Sequence, residues 1–160
     1  MLKMSDVANS LNRTWESLGE GWNHLVNRAG KALTHFRAGE GAKGEAPPVA
    51  SPQWGLLSAD VFDDADKVIV KLEAPGLEAD DFDINVVENT LIVSGEKRFE
   101  REEKKGEYRL LERAYGRFSR AIPLGYEVDV DSAKACYKKG VLTVELEKKP
   151  DQRRRHIKVV

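Results

Sequence analysis

The first 37 residues carry apolar side chains at alternating spacings of three and four, which predicts one apolar stripe along a helix. The stripe consists of Met4, Ala8, Leu11, Trp15, Leu18, Trp22, Leu25, Ala29, Ala32 and Phe36. Because Gly19 and Gly21 are poor residues for a helix interior, we expect two short helices rather than one continuous rod. Residues 1–37 are therefore predicted to be an amphipathic helical arm.

The pattern changes twice after the arm. Residues 38–53, AGEGAKGEAPPVASPQ, are mostly Gly, Pro and Ala with little to bury, which predicts a linker. Residues 54–149 then show short runs of period two separated by turn residues, which is typical of an antiparallel β-sandwich. Residues 150–160, which follow the last run, are expected to form an extended C-terminal tail.

Two hairpins stand out within the predicted sandwich. One reverses at Glu88-Asn89, and the other is joined through Lys138-Lys139-Gly140. Between them, residues 96–113 carry dense charge of both signs and are expected to be an exposed loop, in which Tyr108 to Leu111 could form a short strand. Period two also places Arg120 on the face of apolar neighbours, where a guanidinium needs an acidic partner.

Charge and composition narrow the classes of function. Charged residues make up 33% of the chain but the formal net charge is −1, so nothing global attracts nucleic acid or a membrane. No stretch approaches the roughly 18 apolar residues of a membrane span, and no signal peptide is evident, so we expect a cytoplasmic location. The single cysteine, Cys136, fits a reducing compartment and is expected to be a small, half-buried apolar residue.

No catalytic chemistry is apparent in the sequence. There is no phosphate-binding loop, and His24, His35 and His156 lack the spacing of a zinc site. The carboxylates of residues 60–66 and 80–83 flank turns without the spacing of a calcium loop. We therefore expect no enzyme activity, no cofactor and no metal.

Four local motifs resemble one family. They are the Pro75-Gly76 turn, the segment ERAYGRFSR from Glu112 to Arg120, Ala135 with Gly140-Val141-Leu142, and the tail tripeptide Ile157-Lys158-Val159. In this order and at these spacings, the chain resembles a bacterial-type small heat-shock protein with an α-crystallin domain. The resemblance implies an all-β fold, an immunoglobulin-like antiparallel β-sandwich.

The resemblance implies a dimer formed by strand exchange. The loop strand near Tyr108 to Glu112, including Leu110, would insert into the partner's sheet, and Arg120 would contribute an interface ion pair. The acidic partner of Arg120 is expected in the acidic loop but is not identified.

The tail is predicted to build larger assemblies. Ile157 and Val159 are two residues apart, so in an extended chain both point to the same side. In the family such a pair docks into a groove of a neighbouring subunit. Here the groove would be lined by Ile84, Val86, Ala133 and Ala135.

The predicted function is that of an ATP-independent holdase chaperone, which binds partly unfolded proteins from a dynamic oligomer and prevents their aggregation. Unfolded clients would bind the apolar arm residues Leu11, Trp15, Leu18, Trp22, Leu25 and Phe36. ATP-dependent chaperones would refold the clients afterwards. The alternatives are a client-specific co-chaperone of the CS-domain kind, or a membrane-surface or nucleic-acid adaptor that uses the arm or Arg153 to Arg155.

Overall fold

The computed structural model describes residues 30–38, 47, 52–100 and 105–153. The chain divides into two units, Met1–Leu33 and Thr34–Val160. Of the first unit, only residues 30–33 are described. The predicted arm up to residue 29, most of the linker, and the tail from residue 154 lie outside the described residues.

Nine strands and one short 3-10 helix make up the regular structure of the described residues. The strands are β1 (Leu33–His35), β2 (Trp54–Leu56), β3 (Ala59–Asp63), β4 (Lys67–Glu73), β5 (Phe82–Val87), β6 (Thr90–Lys97), β7 (Gly116–Pro123), β8 (Val128–Lys138) and β9 (Val141–Lys148). The 3-10 helix, Ala79–Asp81, connects β4 to β5.

Two antiparallel sheets form the predicted sandwich. One has the strand order β3-β4-β9-β8 and the other the order β5-β6-β7, while β1 and β2 form a small two-stranded sheet. Alternate residues of the inner strands face a common apolar layer, as period two requires. The fully buried side chains of that layer include Val68, Val70, Leu72, Leu91, Val93, Val144 and Leu146. The prediction of an all-β sandwich is confirmed.

The hairpin predictions are confirmed by the turns. Residues 88 and 89 connect β5 to β6, and Glu88 has a φ of 54°. Lys139 and Gly140 connect β8 to β9 with φ values of 53° and 81°, a two-residue turn whose twist suits an antiparallel hairpin. By contrast, Tyr108 to Leu111 form no strand within the described part of this single chain.

The helix prediction is wrong at the end of the arm. Residues 33–35 form strand β1, and Phe36 is only 3% exposed. The backbone N–H of Phe36 donates to the carbonyl of Gln53 at 2.6 Å, and its ring lies 5.4 Å from that of Phe118. Backbone pairing and packing against the sandwich therefore override the helical spacing in this segment.

The expectation of a half-buried Cys136 is also wrong, because its side chain is exposed. Cys136 lies opposite Thr143 on β8, an edge strand, and neither residue belongs to the buried layer.

A buried lysine fastens the end of the last strand. Lys148 is 0% exposed, and its ammonium contacts the carboxylate of Asp63 and donates to the carbonyl of Asp64 at 2.7 Å. The Nζ atom lies 3.7 Å from the ring centroid of Tyr126, whose hydroxyl donates to the other oxygen of Asp63 at 2.9 Å. These contacts compensate the desolvation of the ammonium and join the ends of β3 and β9.

Replacing Lys148 with Met should lower the free energy of unfolding by about 3 kcal/mol, because it leaves the carboxylate of Asp63 without its cation. Lys149→Met is the matched control: that lysine is 50% exposed and pairs with Glu127, so its loss should destabilise the protein far less than the loss of Lys148. Urea unfolding at a fixed protein concentration measures both. Equal losses in the two variants would contradict the role of the buried lysine.

Candidate interaction surfaces

The first candidate surface is the gap between the edge strands β5 and β8. Ile84 and Val86 lie opposite the buried Val93 and Leu91 in the ladder, so they face the inside of the sandwich. Both are nevertheless only half-buried. No further strand pairs with β5 or β8 in the described residues, so the predicted groove would lie between two strand edges that have no strand partner there.

The β8 side of the groove contains the two predicted alanines. Ala135 lies opposite the buried Val144 and so faces inward, yet it is exposed because no strand lies beyond β8 in the described part of the chain. Ala133 is exposed as well and belongs to an irregular stretch between Asp129 and Lys134.

An aromatic contact links the two walls of the groove. The rings of Phe82 on β5 and Tyr137 on β8 lie 5.0 Å apart. The hydroxyl of Tyr137 donates to the carbonyl of Ala74 at 2.9 Å, which fixes the ring. This contact places β5 beside β8, so the other two edges, β7 and β3, share the opposite side of the sandwich.

Arg120 on β7 is a partly buried cation. It lies opposite Val93 and on the same face as the buried Phe118 and Ile122, as period two predicts. Its Nε atom is buried and has no hydrogen-bond partner in the described part of the chain. Burial lowers the pKa of Arg120 below its usual value. The acidic partner predicted for Arg120 is not found among the described residues.

The free edge of β3 is a surface that sequence reasoning did not identify. Val61 is 44% exposed although it lies opposite the buried Val70, and Phe62 is 62% exposed. Within the described residues, β3 pairs with β4 alone. The only sequence signal was an apolar pair between Asp60 and Asp63, which does not reveal that β3 is an edge strand.

The loop before β7 presents the predicted dimer residues. Leu110 is 70% exposed and Tyr108 is 36% exposed. The ring of Tyr108 lies 5.6 Å from that of the buried Phe99, which in turn lies 5.1 Å from Tyr115. The aromatic cluster fixes the base of the loop, so Leu110 projects from a defined position.

The remaining predicted site residues divide into two groups. Phe36 is buried in the sandwich, so it is not an exposed client-binding residue in this structure. The others lie outside the described residues: Leu11, Trp15, Leu18, Trp22, Leu25, Ile157 and Val159.

The described segment nearest the tail is fixed by Arg153. Its Nε donates to the carbonyl of Lys148 at 3.0 Å, and its guanidinium lies 3.2 Å from the carboxylate of Glu147. The backbone N–H of Gln152 donates to the carbonyl of Lys149 at 2.9 Å, which closes a turn directly after β9.

Two features are absent from the described residues. None of their helices is long and apolar enough to span a membrane. They contain no group of three or more His, Cys, Asp or Glu side chains able to hold a metal ion.

Comparison with known proteins agrees with the geometry. A model of the Hsp20/alpha crystallin family matches residues 60–160. Small heat shock protein C4 of Rickettsia felis is 32% identical over 100 residues, which cover 62% of this chain and 61% of that protein. The 22.7 kDa class IV heat shock protein of Pisum sativum is 42% identical over 81 residues, which cover 50% of this chain and 41% of that protein. The match thus spans less than two thirds of either curated relative.

The sandwich is also similar to a solved structure. Heat shock protein 16.0 from Schizosaccharomyces pombe superposes with a TM-score of 0.56 at 33% identity, covering 65% of this chain and 96% of that one. The sandwich order, the family match and the bacterial relative agree with one another. The chain belongs to the Hsp20/alpha crystallin family and is of the bacterial small heat-shock protein type.

Proposed function

We propose that the protein is an ATP-independent holdase chaperone of the cytoplasm, acting from a dynamic oligomer under heat or other stress. The observation that carries the proposal is that a single chain leaves inward-facing apolar side chains uncovered at both open sides of its sandwich. Ile84 and Ala135 lie on one side and Val61 on the other. Uncovered apolar edges of this kind need a partner chain, because water is a poor solvent for them.

Dimer formation covers the free edge of β3 and brings the partner's acidic loop to Arg120 on β7. The loop from Tyr108 to Glu112 adds to the free edge of β3 in the partner, where Leu110 packs near the exposed Val61 and Phe62. Strand addition satisfies unpaired backbone groups on both chains. The guanidinium of Arg120 then receives a carboxylate from the partner's acidic loop. The exposed Leu110 and the unpartnered Nε of Arg120 support this arrangement.

Tail docking covers the groove between β5 and β8. Ile157 and Val159 enter the groove of a neighbouring subunit and contact Ile84, Val86, Ala133 and Ala135. Full burial of the two side chains contributes about 3 to 6 kcal/mol before the cost of ordering the tail. One such contact is weak, but many contacts around an oligomer hold it together while single subunits still exchange.

Client binding uses apolar surface released when subunits separate. The arm residues Leu11, Trp15, Leu18, Trp22 and Leu25 pack between subunits at rest and bind unfolded proteins when the contacts open. Clients are then handed to ATP-dependent chaperones for refolding. Phe36 is excluded from this exposed set because the sandwich buries it.

The rival functions have less support. A membrane-surface or nucleic-acid adaptor needs a basic surface, whereas the net charge is −1 and the arm carries Asp6, Glu16 and Glu20 beside its cations. A co-chaperone of the CS-domain kind acts as a monomer and needs neither a tail plug nor a covered groove. The uncovered edges on both sides favour the oligomer.

Light scattering of a heat-labile enzyme, without ATP, tests the holdase activity. The protein should suppress the scattering at roughly equal subunit concentration, and its mass in solution should be that of many subunits. A monomeric mass together with unaltered aggregation would refute the proposal.

Replacing Ile157 and Val159 with Ala together should reduce the large assembly to dimers, because the groove loses both apolar contacts. Val160→Ala is the matched control, since in an extended tail residue 160 points to the opposite side. Size-exclusion chromatography with light scattering measures the mass. An unchanged mass in the double variant would exclude tail docking.

Arg120→Leu should weaken the dimer by about 2 kcal/mol, roughly 30-fold in Kd, because the partner's carboxylate loses its cation. Arg117→Leu is the control, since Arg117 lies on the same strand but on the exposed face. Dilution of tail-truncated dimers, followed by sedimentation, gives both constants. Equal constants for the two variants would count against an ion pair at residue 120.

A further inference from the structure

Residues 36 and 37 form a short strand contact with the edge of β7. The backbones of Arg37 and Arg117 exchange two hydrogen bonds, each with an N to O distance of 2.8 Å. Beside them the ring of Phe36 packs against Phe118 at 5.4 Å and is 3% exposed. A segment from before the sandwich thus extends the three-stranded sheet and inserts one aromatic ring into the core.

The surface that receives this segment is shaped by two glycines. A Cβ atom on Gly116 would lie 2.4 Å from the carbonyl oxygen of Arg37, and a Cβ on Gly55 would lie 2.9 Å from the ring of Phe36. Any side chain at either position would displace the segment. We call the surface formed by Gly55, Ala114, Gly116 and Phe118 the aromatic slot.

The contact between the segment and β7 is short. Arg37 and Arg117 are the one pair bridged between the described part of the segment and β7, and they carry like charges at directly opposite positions, which weakens the pairing. Glu96 forms an ion pair with Arg117, with an N to O distance of 3.8 Å, which offsets part of this repulsion. The segment continues into residues 38–53, a stretch rich in Gly, Pro and Ala. It is therefore a tethered ligand of the slot, joined to β7 by the two backbone hydrogen bonds of this one pair and to β2 through strand β1 and the N–H of Phe36, which donates to the carbonyl of Gln53.

We propose that the aromatic slot is a client-binding site for extended polypeptide segments that carry an aromatic residue, and that Phe36 and Arg37 occupy it at rest. This inference rests on the proposed holdase function and specifies one of its substrate classes. The edge of β7 supplies backbone hydrogen bonds that any sequence can use, and Phe118 selects the ring. Arg117 favours an acidic residue directly after the aromatic one, where the resident segment has Arg37.

A reversible disulfide tests whether Phe36 and Arg37 must leave the slot before a client segment can bind. Directly paired residues that exchange two hydrogen bonds have Cα atoms about 5.5 Å apart, within the range of a disulfide. Arg37→Cys and Arg117→Cys are combined in a Cys136→Ser background, so that oxidation closes the slot and reduction frees it. The probe is a fluorescein-labelled LTHFE peptide, and its LTHAE counterpart lacks the aromatic ring.

Fluorescence anisotropy of the full-length protein gives the outcome. The reduced form should bind the LTHFE probe at least about tenfold more tightly than the oxidised form, and LTHAE should bind neither. The Arg37→Cys single variant in the same background, taken through oxidation and reduction, should bind the probe equally in both conditions. Equal binding of LTHFE to the locked and reduced forms would overturn the proposal.

A second variant removes the resident ring. Phe36→Ala should bind the LTHFE probe at least about tenfold more tightly than the unmodified protein, because the internal competitor is lost. Phe82→Ala controls for loosening of the core, since its ring also lies near Phe118, at 6.5 Å, but comes from β5. The same gain in both variants would show that the probe binds a loosened core rather than the slot.

The slot and the holdase function can fail separately. Suppressed enzyme aggregation without lock-sensitive probe binding would overturn the slot and leave the holdase function intact. Lock-sensitive binding by a protein that does not slow aggregation would overturn the holdase function and leave a peptide-binding slot.

Discussion

The burial of one apolar layer between a four-stranded and a three-stranded sheet is the constraint on which every surface of this protein depends. Both sheets are open, so the layer ends at four strand edges, and the side chains nearest those edges face inward without being covered. Ile84 and Ala135 illustrate this on one side and Val61 on the other. The surfaces proposed for assembly are thus continuous with the apolar core. They are not separate apolar patches on an otherwise polar surface.

The hairpins and the sandwich could be predicted because they depend on local pattern. Alternation in β4, β6 and β9 identifies the buried face, and the turn residues at 88–89 and 139–140 fix where the chain reverses. The inward orientation of Arg120 follows from the same rule, since a side chain two residues from Phe118 in a strand shares its face. Its burial could therefore be anticipated from spacing alone.

What could not be predicted depends on strand order and on packing between distant segments. Val61 is exposed because β3 is a sheet edge, and no local pattern shows which strands lie at an edge. Phe36 matches a helical stripe by spacing, but it is placed by Gly55 and Phe118, which lie far away in the sequence. Sequence periodicity cannot show whether such a residue lies on a helix or packs into the sandwich, because contacts between distant segments decide this.

The position of Lys148 has a mechanical consequence. The last residue of the final strand holds that strand to the end of β3, and the chain beyond it is held by a separate contact through Arg153. A force applied to the C-terminus therefore acts first on the turn at residues 149–153 and only then on the hydrogen bonds between the strands. The terminus can therefore be lengthened or altered while the domain itself remains folded.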